Sequence, residues 1–83
     1  MHLSDIDRRS AVPLVEQVVA LVHRRMAQRQ LAPGARLPSI RALAESLSIS
    51  RSTVVDAYDR LVSEGAIHSR PGAGFFVGDR LPP

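Results

Sequence analysis

Residues 39–65 read SIRALAESLSISRSTVVDAYDRLVSEG, and the spacing within them decides the fold. Ile40, Leu43, Ala44 and Leu47 recur at three- and four-residue intervals, the pattern of one buried helical face. Ser39 stands just before them as an N-cap. After about two turns Ser48-Ile49-Ser50 interrupts the period, and Ser50 is a second good N-cap. A longer helix then turns Val54, Ala57, Tyr58, Leu61 and Val62 inward. It stops at Gly65, a C′ position where positive φ favours glycine.

On the N-terminal side, Leu14, Val18, Leu21, Val22 and Met26 share another apolar face, which predicts a helix over residues 13–30. Pro13 suits its first turn, where a missing N–H costs nothing, and Pro33-Gly34 must end it. Arg36-Leu37-Pro38 reads as a short extended link, because Pro38 disfavours helix at Leu37. Beyond Gly65 the period changes to that of strands. Ile67-His68-Ser69-Arg70 and Phe75-Phe76-Val77 flank Pro71-Gly72-Ala73-Gly74, a hairpin signal. The expected class is mainly α with a small β-hairpin, a winged helix-turn-helix on a three-helix core over residues 13–78. Residues 1–12 are polar and read as a mobile arm, and residues 79–83 as the start of a linker to a further C-terminal domain.

At 83 residues the chain has room for one small domain. It is 45% hydrophobic and 23% charged, which suits a folded core rather than disorder. Without Cys, disulfide scaffolds, thiolate zinc sites and Cys nucleophiles are excluded. No apolar run is long enough to span a membrane, and MHLSDIDRR is no signal peptide, so a cytoplasmic protein is expected. The net charge is only +3 although the pI is 11.0. All 11 basic residues are arginine, and with a single Tyr little titrates between His and Arg. The placement of the arginines therefore says more than the pI. An arginine fork donates two parallel hydrogen bonds, which suits phosphates and guanine edges.

Two short helices joined by a three-residue turn, then a hairpin, place one helix start against a DNA groove. That start reads Ser50-Arg51-Ser52-Thr53, one guanidinium and three hydroxyls beside free N–H groups that favour phosphate. Ser39 and Arg41 occupy the first turn of the preceding helix, where they can hold flanking phosphates. Arg70 and Gly72 belong to the hairpin and its turn. Double-stranded DNA is the expected partner. A second reading is a winged helix used only for docking another protein, since fold alone does not fix function. An enzyme is disfavoured: the chain lacks a nucleophile–base pair and a P-loop, and is too short to enclose a large pocket. His2, His23 and His68 lack metal-ligand spacing, and Asp56 and Asp59 read as a solvated face.

The stretch GARLPSIRALAESLSISRSTVVDAYDRLVSEGAIHSRPGAGFFV resembles the GntR family of bacterial winged helix-turn-helix regulators. The likeness runs from about Pro13 to Val77, and its SIRALA and VVDAYDRLVSEG wording is most similar to the MocR subfamily. The resemblance implies DNA contacts at Arg41, Arg51 and the wing-tip Gly72. Where many members carry another arginine this chain has Val55, a departure shared with MocR-like members. It further implies a homodimeric parent whose C-terminal, aminotransferase-like domain binds pyridoxal phosphate. No cofactor is expected in the present chain, and the isolated domain is expected to be a monomer.

Overall fold

The computed structural model describes residues 6–78. Helix α1 spans Leu14–Ala27, α2 Ile40–Leu47 and α3 Arg51–Ser63, followed by strands β1 (Ile67–Arg70) and β2 (Gly74–Val77). The expected architecture is present, with α1 and α2 both packed on α3 and the hairpin at its C-terminal end. Val18, Val22, Val54, Ala57, Leu61, Ile67 and Val77 meet in one core.

Each cap follows from its residues. Ser39 Oγ accepts from the Ala42 N–H at 3.0 Å and Ser50 Oγ from the Thr53 N–H at 3.2 Å, which satisfies donors left orphaned by the helix. Gly65 follows the C-cap of α3 with φ +81, as its position predicts. Strands β1 and β2 pair antiparallel, with Ile67 opposite Val77 and Arg70 opposite Gly74.

Four details depart from the sequence expectation. Helix α1 ends at Ala27 rather than residue 30, because Arg29 turns left-handed at φ +61 and Gln30 N–H closes back on Arg25 O. That reversal brings Leu31 against the core. Pro13 is the N-cap and not a first-turn residue. Val62 is exposed: Val54, Ala57, Tyr58 and Leu61 already fill the inward arc of α3, and Val62 falls beside that arc.

The fourth departure concerns the N-terminal arm, whose described part is folded. Ile6 lies in the core, and the Gln17 side chain clamps the chain behind it. Its Oε1 accepts from the Asp7 N–H at 2.7 Å, while its Nε2 donates to Asp7 O and Val12 O. Residues 1–5 and the expected linker 79–83 lie outside the described residues.

The link 34–37 does more than connect. Leu37 N–H donates to Phe75 O at 2.8 Å and Val77 N–H to Ala35 O at 2.8 Å, so the segment runs along the edge of β2 that β1 leaves free. Arg36 bridges to Phe76, and Leu37 is buried. Tyr58 fastens this seam. Fully enclosed, its ring meets Phe75 edge-on at 4.9 Å and its hydroxyl donates to Pro38 O at 2.7 Å.

Burial pushes the Tyr58 hydroxyl from 10.0 up to about 12. The unfolded chain then loses this proton first, so stability is complete below about pH 10 and falls as pH rises through about 12. With no Lys, no Cys and one Tyr, no other side chain titrates in that window. Denaturant unfolding should lose about 1.4 kcal/mol per pH unit there, and Tyr58→Phe should remove the slope. A slope that persists in the variant would place the titrating group elsewhere.

Candidate nucleic-acid interface

The turn between α2 and α3 is built without glycine. Ser48 caps α2 in the left-handed region at φ +56, its N–H bonds back into the last turn, and Ile49 N–H reaches Ala44 O at 3.0 Å. Ile49 packs against the core, which fixes the angle at which Ser50 starts α3. The exposed N-terminal turn of α3 is thereby held by both its cap and its half-buried neighbour Ile49.

Arg51 and Ser52 are exposed on that turn, and Arg51 has no carboxylate partner among the described residues. A cation at a helix N-terminus opposes the dipole, so its presence there gains nothing for the free fold. Ser50 Oγ lies 3.1 Å from Ser52 Oγ and 2.8 Å from Thr53 Oγ1. The three hydroxyls expected to face a ligand thus form one network, with Thr53 half-buried inside it.

Ser39 is an exposed cap. Arg41 is exposed but shared, its Nε donating to Glu45 Oε2 at 3.2 Å one turn along. Such a solvated pair is weak and can exchange for a phosphate. In the hairpin, the Ala73 N–H donates to Arg70 O at 2.9 Å, and Gly72 takes φ +77 after Pro71, the geometry of a type II turn. A Cβ on Gly72 would meet nothing within 4 Å, so the requirement there is conformational and the tip lies open. Arg70 is exposed, with its guanidinium carbon 4.9 Å from the centroid of Phe76.

Carboxylates are unevenly placed around these groups. Residues 17–44 and 65–78, which carry Arg36, Arg41 and Arg70, contain none. Those of α3, Asp56 and Asp59, lie beyond its first turn and are exposed. The first turn of α3 therefore carries a cation without a carboxylate of its own, and the acids of that helix begin one turn farther along. Arg36 was missed as a candidate by sequence reading. The alternation Ala35-Arg36-Leu37 between Gly34 and Pro38 hints at an extended segment with Arg36 opposite the apolar side, but the strand it pairs with is far away in the sequence.

Among the described residues no His, Asp or Glu cluster could hold a metal, and no helix is long and apolar enough to cross a membrane. The family model of bacterial regulatory proteins of the gntR family matches residues 14–77. The probable rhizopine catabolism regulatory protein MocR of Rhizobium meliloti is 38% identical over 78 residues, 94% of this chain and 16% of that protein. YtrA from Sulfolobus acidocaldarius, a GntR-family transcription factor, superposes with a TM-score of 0.88 at 34% identity, covering 96% of this chain and 84% of that one. AraR(DBD), solved in complex with operator ORR3, gives 0.79 at 27% identity over 88% of each chain. The chain spans about one sixth of the length of the first curated relatives it matches.

The two serines that frame the turn should respond in opposite directions. Ser50→Ala deletes a cap and should cost about 1 kcal/mol. Ser48→Gly relieves a left-handed Cβ and should gain about 0.5–1 kcal/mol, less what glycine adds to unfolded-chain entropy. Chemical denaturation of both variants checks the pair, and a stabilised Ser50→Ala would refute the capping geometry.

Proposed function

This chain belongs to the GntR family of bacterial regulatory proteins, and on that premise we propose that it is the sequence-specific DNA-reading domain of a longer transcription regulator. The observation that carries the reading is the start of α3: Arg51, without a carboxylate partner among the described residues, on a capped, exposed first turn, where it costs the free protein electrostatic energy. That cost has a reason if a duplex supplies the missing anion. In this reading the first turn of α3 enters the major groove with Arg51, Ser52 and the Ser50 cap toward the sugar–phosphate backbone. Ser39 and Arg41 hold phosphates flanking the groove, and Thr53 orients Ser50 from within. Arg70 and Gly72 bring the wing to the neighbouring groove. That AraR(DBD), a chain of similar fold, was solved in complex with an operator supports a DNA partner.

The parent is proposed to be MocR-like and dimeric, with this domain reading one half of a two-part site. Pyridoxal phosphate, if the parent binds it, belongs to the remaining domain. Its Schiff base needs a lysine amine, and this chain has no lysine.

Arg51→Ala should weaken binding to the tightest duplex selected from a random pool by about 1–3 kcal/mol, with stability unchanged or slightly raised. A phosphate contact lowers affinity for all sequences and flattens the salt dependence, whereas a base contact relaxes preference at one base pair. Phosphate is the expected role, because the arginine sits at the helix end. Equal affinity of variant and parent at the same salt would overturn the DNA reading of α3 and favour protein docking.

A further inference from the structure

We infer that Arg36 and Arg70 form one phosphate-binding site on the outer face of the wing; the inference rests on the DNA-binding reading above. The register of the sheet places the two arginines on the same side. Ile67, Val77 and Phe75 face the core, so their neighbours His68, Phe76 and Arg70 face outward, as does Arg36 opposite Phe76. The Phe76 ring organises this face. His68 stacks on it at 6.0 Å between centroids, and Arg70 lies over it.

The side chain of Arg36 reaches along the sheet toward the wing tip and covers Gly74, the residue directly opposite Arg70. A Cβ at Gly74 would lie 3.2 Å from Arg36 Nε and 3.4 Å from its Nη2, tighter than ordinary contact. Glycine, at φ +114, leaves the room that the guanidinium occupies there. One guanidinium therefore lies against Gly74 and the other over the ring of Phe76, two residues along the same outward face of β2.

Neither arginine has a carboxylate partner among the described residues, and the segments that build this face contain no acidic residue. Like charges gathered without a counter-charge repel in the free protein, and a phosphodiester oxygen between them removes the repulsion. The site lies next to the open turn at Gly72, so one stretch of backbone can meet the tip and both arginines. It carries affinity and no base information.

The test is the salt dependence of binding, read by fluorescence anisotropy on a mixed-sequence duplex and on the tightest selected duplex. Arg36→Gln keeps the backbone bridge to Phe76, so the fold is retained. Arg36→Gln and Arg70→Gln should each flatten the log–log salt slope by about 0.9 on both duplexes, and Arg36→Lys should restore it. Base preference should not change. An unchanged slope in Arg36→Gln, whether affinity falls equally at every salt or not at all, overturns the site and leaves Arg36 a prop for the wing. Should the parent domain itself show no steep slope and no response to Arg51→Ala, the DNA reading fails as a whole. A steep slope and a sensitive Arg51 beside an inert Arg36 would overturn the wing site alone.

Discussion

The hydrogen bond from Tyr58 to the carbonyl of Pro38, with the ring of the same residue against Phe75, is the constraint on which the other contacts depend. One buried side chain on α3 touches the segment that leads into α2 and the inner face of β2. Leu37 is pinned between them, and Ser39 follows two residues later as the cap of α2. The position of the first turn of α2, the path of the edge segment and the seat of the hairpin are therefore set together. Ser50 and Arg51 lie at the opposite end of α3, whose axis the Tyr58 contact holds in place.

Helical periods and caps were legible in the chain because each is local. Ser39, Ser50 and Gly65 act through atoms within a few residues of themselves, and their roles follow from residue type and position. The hairpin was legible for the same reason, through Pro71-Gly72 between two β-prone runs. What escaped was long-range. The Ile6 contact depends on Gln17 folding its amide back over ten residues, and nothing in the polar composition of the first dozen residues announces it. The reversal at Arg29 was hidden because a left-handed arginine has no composition signal. The spacing of Val62 from Tyr58 and Leu61 points inward, although the arc those residues occupy is already full and Val62 is exposed.

The candidate site was legible in part. Arg51 and its hydroxyl neighbours follow from the position of a helix start. The pairing of Arg41 with Glu45 follows from their four-residue spacing, though the spacing does not say that the charge is partly committed. Arg36 could not be placed from spacing alone, since its partners Gly74 and Phe76 are some forty residues distant and the register between them is set by tertiary packing. Arginines are spread along the whole sequence, which conceals how the fold sorts the charges. Carboxylates gather on α3 and its neighbours, while the wing and its edge segment keep only cations.

The docking of residues 34–37 along β2 gives the wing a mechanical character that an isolated hairpin lacks. A lone two-stranded ribbon is marginally stable in water and would sample many tilts relative to the helices. Here its second strand is flanked on both sides, and the flanking segment runs straight into the cap of α2. Wing and helix pair are thus one stiff bracket with a fixed span. A ligand that bridges them meets a surface whose conformational entropy was lost during folding, so less of its contact energy is spent on ordering the protein. The same stiffness sets a geometric standard for that ligand: a surface whose spacing does not match the bracket must itself deform, and its own flexibility then becomes part of what is recognised.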